Sequence, residues 1–365
     1  MGPTGIVMMN LGGPASLSDV EPFLVNLFAD REIIPLPFQK QLGTFIAKRR
    51  VAEVQANYRD IGGGSPILPW TEQQGRGMCE RLDQLSPETA PHKFYVAFRY
   101  INPSSSDALQ AMQRDGVKRA IAFTQYPQYS FATTGSSLNE LWRASARLGL
   151  DQAFTWSIID RWPTHPGLID TLEHTVRAGL AQFPASEQND VVILFSAHSL
   201  PLSIINLGDP YPFEIGATVH EVMQRLHYDY EYAVSYQSEV GPVRWIGPST
   251  EKIIADLGAM GRKNVLVVGV AFTSDHIETL HELDIEYREL AGHHGITNYV
   301  VAPGFNDRPV FQDALAAVVH EHLQAGEAAS NQYGLRQAFS INPADGTIPN
   351  PVRPYKRTNP APGRK

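Results

Sequence analysis

The sequence predicts an α/β protein built on two similar parallel sheets of four strands, each covered by helices on both faces. Three observations point there. Apolar, strand-like runs alternate with amphipathic, helix-like stretches, the signature of βαβ units. The strand-like runs divide evenly between the two halves of the chain. The length, 365 residues, exceeds the roughly 250 to 300 at which one hydrophobic core stops growing.

The first strand is expected at residues 6–11, within Gly5-Ile-Val-Met-Met-Asn-Leu11, where a continuous apolar run fits a strand buried on both faces. Residues 94–98, 120–124 and 155–159 complete the first set. Residues 191–195, 233–236, 265–271 and 299–302 make the second. Helices are expected between them at 106–115, 137–147, 167–183, 214–226 and 278–290, with a last one at 310–322. This organisation gives an N-terminal domain over 1–170 and a C-terminal domain over 171–325. From Gly326 the chain turns polar, then Pro-rich and basic through Pro349, Pro351, Pro354, Pro360 and Pro362, so 326–365 reads as a docked or disordered tail. No repeated motif links the two halves.

More than 80 residues separate the first two strands, and a long excursion is usually functional. It holds Pro22-Phe-Leu-Val-Asn-Leu-Phe28, Ile33-Ile-Pro-Leu-Pro-Phe38, then Phe45, Ile46 and the basic triplet Lys48-Arg49-Arg50. Apolar side chains beside a basic cluster suit a flap, about residues 22–50, resting on an anionic membrane surface. A helical hairpin packed on the domain core fits equally well.

Apolar residues are 43% of the chain and charged ones 19%, ordinary for a soluble α/β protein. A net charge of -8 argues against a nucleic-acid partner, since phosphate binding needs basic surface. With Cys79 the single cysteine, one chain can build neither a disulfide nor a thiolate metal site. No apolar run approaches the roughly 18 residues that span a bilayer. The chain opens directly into its first strand, so a targeting peptide is expected to have been removed or never present.

Several common chemistries are missing. There is no G-x-x-x-x-G-K-[ST] loop, no G-x-G-x-x-G after a strand and no G-x-S-x-G elbow. His281-Glu282 begins like a zincin motif, but Ile285 stands where the second histidine belongs. Ile61-Gly-Gly-Gly-Ser65-Pro lacks the strand and lysine of a phosphate loop and reads as a tight turn. Two strand ends carry the chemistry instead. Phe195-Ser-Ala-His-Ser-Leu-Pro201 places His198 there, and Ala271-Phe-Thr-Ser-Asp-His-Ile-Glu-Thr-Leu280 places Asp275, His276 and Glu278. Ligands of open α/β sheets bind beyond the carboxyl ends of the strands. An imidazole and carboxylates converging there could take up protons or bind a cation. Asp275 and Glu278 also read as a capping-box variant. Glu278, Glu282 and Glu286 recur every fourth residue, which stacks like charge along one helix face.

Taken together, these segments resemble the ferrochelatase family. The resemblance runs from about Gly5 to Gln324 and rests on Met9-Asn-Leu-Gly-Gly-Pro14, Ile61-Gly-Gly-Gly-Ser-Pro66 and Ala122-Phe-Thr-Gln-Tyr-Pro-Gln-Tyr129. It rests equally on Ile159-Asp-Arg-Trp-Pro-Thr-His165 and on the two strand-end segments. The wording is similar to the eukaryotic, mitochondrial branch. The resemblance implies two doubly wound, Rossmann-like domains with a cleft between them. It implies insertion of Fe²⁺ into protoporphyrin IX to form protohaem, the last step of haem synthesis. Residue by residue, it makes His198 the cleft histidine and Glu278 the carboxylate facing it across the macrocycle. Asp275 and His276 support them, Glu282 continues an acidic path, and His198, Glu278 and Glu282 meet the substrate iron only in passing. Arg99 and Tyr100 would lie at the cleft floor; Leu11, Tyr126, Trp245 and Phe272 would line the porphyrin faces; Arg50, Tyr58, Ser65 and Ser238 would hold the propionates. His165 matches a histidine assigned to catalysis, whose acidic companion is replaced by Ala317.

The same resemblance implies a peripheral place on the matrix side of the inner mitochondrial membrane, reached through the lip. It further implies a homodimer and contact with the oxidase that precedes it in the haem pathway. A [2Fe–2S] cluster is not expected: Phe131 and Ser340-Ile-Asn-Pro-Ala-Asp345 stand where its cysteines would be. No resident cofactor is expected. A chelatase for another tetrapyrrole such as coproporphyrin, and a porphyrin or haem carrier without turnover, are the rival readings.

Overall fold

Ile6, Val7, Met8 and Met9 are all essentially buried, because the first strand has helices on both of its faces. The structure is a computed structural model and describes residues 2–33, 36–241 and 243–330. The first half runs β1 (Thr4–Asn10), α1 (Val20–Ala29), α2 (Gln39–Asp60), α3 (Ile67–Leu85), β2 (His92–Phe98), α4 (Ser105–Arg114), β3 (Arg119–Thr124), α5 (Ser136–Leu148) and β4 (Thr155–Ile159). The second half runs α6 (Pro166–Leu180), β5 (Val192–His198), α7 (Leu202–Ile205), α8 (Tyr211–Arg225), β6 (Glu231–Gln237), α9 (Thr250–Ala259), β7 (Asn264–Gly269), α10 (Tyr287–His293), β8 (Asn298–Val301) and α11 (Pro309–Ala325).

All strand pairs are parallel, in the orders β2-β1-β3-β4 and β6-β5-β7-β8. Each sheet therefore reverses its strand order once, at β1/β3 and at β5/β7, and such reversals are where doubly wound folds open a crevice. The sheets share one continuous core, in which Ile6 and Met8 meet Met78 and Leu82 of α3, and Phe195 and Val268 meet Ile215 and Val219 of α8. Their outer faces are closed separately, by α4 and α5 on the first sheet and by α9 and α10 on the second. A π-helix follows the third strand of each sheet, Phe131–Gly135 after β3 and Glu278–Glu286 after β7. Matching strand order and matching π-helices make the halves a structural repeat that the sequence does not display.

All eight expected strands form. The stretch 278–290, expected as one α-helix, instead begins as the π-helix and becomes α-helical only at Tyr287. Helical hydrophobic spacing alone does not separate the two. The expected division at 170/171 falls inside α6, which packs on α8 and β7, while α11 returns to pack on α3 and α6.

The long insertion is a helical hairpin. α1 and α2 pack around Val20, Leu24, Phe28, Ala47 and Tyr58. They cross closely at Gly43, where an added Cβ would lie 2.4 Å from the Phe28 carbonyl oxygen. The hairpin leaves Phe38 83% and Phe45 57% exposed near its tip, large values for aromatic rings. Ile61 to Ser65 forms the expected tight turn into α3, with Gly62 and Gly63 at positive φ. Among the described residues no helix is long and apolar enough to cross a membrane. Cys79 is buried in α3, and burial pushes its thiol up to about 12, which leaves it unreactive. Of the tail, residues 328–330 add to the free edge of β4 through Ile158. The 340–345 segment lies outside the described residues.

A buried charge cluster joins the halves. Arg161, just after β4, reaches Asp160 at 3.1 Å and Glu214 of α8 at 2.8 Å, and lies over the Tyr129 ring at 4.3 Å. Glu214 also accepts the Tyr129 N–H at 2.7 Å, and Asp209 accepts the Phe131 N–H at 2.7 Å at the start of the first π-helix. One guanidinium thus serves two carboxylates. It is held above its ordinary range because Asp160 and Glu214 outweigh its own burial. Glu214, with only a share of that cation, is pushed by burial up to about 7, and burial pushes Asp209 up to about 6.

Candidate active site

The carboxyl ends of both sheets open onto one place. Thr273, after β7, donates from its hydroxyl to the Gln125 carbonyl after β3 at 3.1 Å. Gln74 of α3 donates to the carbonyls of Thr273 and Asn306 at 2.9 and 3.0 Å. The two strand-order reversals therefore face each other, and His198, Asp275, His276 and Glu278 stand at or just after these strand ends.

His198 is the last residue of β5, pairing in register with Gln237 of β6. Its Nδ1–H donates to the Ser199 carbonyl at 2.6 Å, which fixes the tautomer and leaves the Nε2 lone pair available. Tyr211 donates its phenol to the His198 carbonyl at 3.1 Å and so anchors the strand end from α8. The ring is half-buried, shielded yet within reach of a ligand.

The acidic side belongs to the second π-helix, an element often found at functional sites. His276 donates Nδ1–H to the Ser274 carbonyl at 2.9 Å, which turns its Nε2 toward Glu278 Oε2 at 3.2 Å. Phe272 packs edge-on against the His276 ring at 4.8 Å. Glu282 accepts from Gln237 at 2.8 Å, from the Tyr287 phenol at 2.9 Å and from the Ser238 hydroxyl, an array that suits an ionised carboxylate. Gln237 also donates to the Glu278 carbonyl at 3.1 Å and accepts from Ser196 at 2.8 Å. This one amide thereby ties the strand beside His198 to both glutamates. Asp275 is turned to other work: it accepts from Thr279 at 3.0 Å and from Asn306 at 2.7 Å, closing the loop ahead of the π-helix.

Glu278 faces the first half of the chain. Burial, then the negative charge of Glu278, push the Tyr58 phenol of α2 well above its ordinary value. Burial raises Tyr126 too; the Leu11 backbone opposes that and Glu278 adds to it. Asn10 accepts the Tyr126 phenol at 3.1 Å and the Leu11 N–H at 2.7 Å, so one side chain sets both at the end of β1. Ser65 packs beside Gly13 with its N–H on the Pro14 carbonyl at 2.7 Å. Trp245 is half-buried beyond β6, pairing with Pro201 just beyond His198.

Arg99 and Tyr100 are occupied differently from a free pair on a cleft floor. Both bond Asp30, the residue capping α1, each at 2.7 Å, and Ser136 joins them at 3.1 Å from Arg99. They anchor the lip to the first sheet. Arg50 is half-buried on α2 and makes no ion pair or hydrogen bond among the described residues. His165 caps α6 by accepting the Gly167 N–H at 3.1 Å, and its Nε2 lies 3.3 Å from Glu321 of α11. Glu321 is one turn beyond Ala317, so a carboxylate reaches this histidine from the same helix. No bond ties His165 to His198 or Glu278 among the described residues.

Sequence reasoning missed Gln237, Asn10 and Asp30, which act by holding other side chains. Their one signal was position, a polar residue ending an apolar strand in the first two. No group of three or more His, Cys, Asp or Glu residues is gathered tightly enough to hold a metal ion among the described residues. The arrangement offers one imidazole lone pair, a close His276–Glu278 pair and a fixed carboxylate ridge. It can accept protons and conduct a cation.

The ferrochelatase family model matches residues 3–323. The mitochondrial ferrochelatase of Xenopus laevis is 53% identical over 94% of this chain and 84% of its own length. That of Homo sapiens is 53% identical over 93% and 81%, and that of Schizosaccharomyces pombe 49% identical over 92% and 79%. Among solved structures, SirB from Bacillus subtilis with Fe3+ superposes with a TM-score of 0.51 at 12% identity, covering 89% of this chain and 98% of that one, a likeness of fold. By sequence over nearly its whole length, the chain belongs to the ferrochelatase family.

Proposed function

We propose that the chain inserts Fe²⁺ into protoporphyrin IX, with His198 receiving pyrrole protons on one face of the macrocycle and the Glu278–Glu282 ridge handling iron on the other. The observation that carries this is the His198 ring: its Nδ1–H is committed to the Ser199 carbonyl, so Nε2 presents a lone pair at the cleft. Two pyrrole N–H protons must leave as the cation enters, and the single Nε2 lone pair takes them one at a time, passing the first to solvent before accepting the second. Glu278, with His276 at 3.2 Å, supplies a carboxylate that iron can meet as it passes. Glu282, already holding three donors, fixes the far end of the ridge rather than moving. Asp275 positions the π-helix. Arg50, free of any partner among the described residues, is a side chain available for a propionate, with Tyr58 further along α2 and Ser65 in the turn after it as the other contacts. Ser238 supports Glu282 and so serves the iron side in this reading.

One assay separates this from a carrier: loss of protoporphyrin fluorescence on adding anaerobic Fe²⁺. Catalytic loss, many porphyrins per chain, is expected; loss that stops at one porphyrin per chain would favour the carrier. Running coproporphyrin beside protoporphyrin tests the rival tetrapyrrole.

The lip gives the membrane reading. Phe38 and Phe45 are exposed at the tip of a hairpin whose second helix carries Lys48, Arg49 and Arg50. The lip supports peripheral attachment to a membrane surface; the matrix side of the inner mitochondrial membrane, the preceding oxidase as a neighbour and a homodimer rest on the family resemblance. Replacing Ile33, Ile34 and Phe38 together by Ser should release the chain from anionic liposomes in a sedimentation assay. Binding equal to that of the unmodified chain would reject the lip.

A further inference from the structure

The false start of a zinc-protease motif at His281 has a different occupation. The His281 side chain is 8% exposed on the second π-helix. Its Nε2 lies 3.2 Å from Asp60 Oδ2, at the last residue of α2, and its Nδ1 lies 3.4 Å from Glu286 Oε1. The Nε2–H donates to the Asp60 carboxylate, and the ring stands between carboxylates of two different elements. The surroundings are otherwise acidic. Burial raises Glu286, His281 holds it down, and Glu282, Glu251 of α9 and Glu53 of α2 push it up again. Among the described residues no lysine or arginine pairs with Asp60 or Glu286. Without His281, α2 and the π-helix would meet through like charges, Glu53 and Asp60 against Glu282 and Glu286.

We propose that His281 is a positioning residue that clasps the lip helix α2 to the acidic π-helix and so fixes the width of the porphyrin cleft. Tyr58 lies two residues before Asp60 and feels the charge of Glu278. Ile277, at the start of the π-helix, packs against the α1/α2 core. Asp60–His281 is the polar half of that same contact. The proposal rests on the reading of Arg50 and Tyr58 as porphyrin contacts.

The test is a double-mutant cycle on Asp60→Asn and His281→Leu, with steady-state kinetics on protoporphyrin and Fe²⁺. Each single variant should raise KM for protoporphyrin by about fivefold, the scale of one partly exposed ion pair. kcat and KM for Fe²⁺ should stay unchanged, a split that general destabilisation would not produce. The double variant should be no worse than either single one, because it also removes the repulsion. Should His281→Leu fail to fold, Asp60→Asn, on the exposed side of the pair, gives the same KM readout. Effects that multiply in the double variant, or that fall on kcat instead of on KM for protoporphyrin, would overturn the clasp. Arg50→Ala run alongside keeps the two readings apart. If it leaves KM for protoporphyrin unchanged, the lip reading fails. If it raises KM while Asp60→Asn does not, the clasp alone fails.

Discussion

Replacing His198 by Ala is expected to lower kcat by about 10² to 10⁴-fold, the range that a positioned proton acceptor contributes. The fold should survive, because the ring makes one local hydrogen bond, to the Ser199 carbonyl, and the strand end is anchored separately through Tyr211. Protoporphyrin binding should persist, since the residues read as propionate contacts lie on α2 and in the turn after it. Added imidazole should restore part of the rate by occupying the vacated space with a free acceptor. Both are measured by the fluorescence assay, with and without imidazole. A variant that turns over at near-normal kcat would remove His198 from the chemistry.

Replacing Arg161 by Met is expected to cost about 3 to 5 kcal/mol of stability near neutral pH, the usual penalty for taking one partner from a buried ion pair. Asp160 and Glu214 would be left facing each other with no cation, in a seam where both are almost fully buried. The pH dependence follows from Glu214. Its folded-state value, about 7, lies above the ordinary 4.5, so its contribution to stability is fully present below about 4.5 and lost as pH rises through 7. With Arg161 gone, the Glu214 carboxyl holds its proton more tightly still. The loss relative to the unmodified chain should therefore shrink as the pH is lowered from 7 to 5. Urea denaturation at the two pH values measures it, and a loss equal at both would contradict the assignment of the cluster.

The strands were legible because helices cover both faces of each sheet. That burial writes continuous apolar runs such as residues 6–9 into the sequence. The repeat of strand order was not legible, since two cores of the same shape can be filled by different apolar residues. The second π-helix was hidden for a related reason. Residues four apart lie close to one side of either helix type, and the wider winding accompanies a tertiary bond from Gln237 to the Glu278 carbonyl. In the site, His198 and Glu278 stood out as ionisable groups ending or following buried strands. Gln237, Asn10 and Asp30 did not, because each acts through a neighbour that only the folded chain supplies. Arg99 shows the converse. Its likeness to a cleft residue was readable, while its bond to Asp30 on the lip depends on where α1 ends. His281 looked like a broken metal motif and became a bridge once α2 lay beside it.

The two-sided cleft is tested most directly by single-turnover metallation of pre-bound protoporphyrin, followed over a range of anaerobic Fe²⁺ concentrations in His198→Ala and Glu278→Gln. The account predicts a His198→Ala reaction with a greatly reduced limiting rate and unchanged half-saturation by Fe²⁺. It predicts the opposite for Glu278→Gln, a half-saturation moved to higher Fe²⁺. If His198→Ala shifts the Fe²⁺ dependence while Glu278→Gln leaves it in place, the two sides have been assigned the wrong way round.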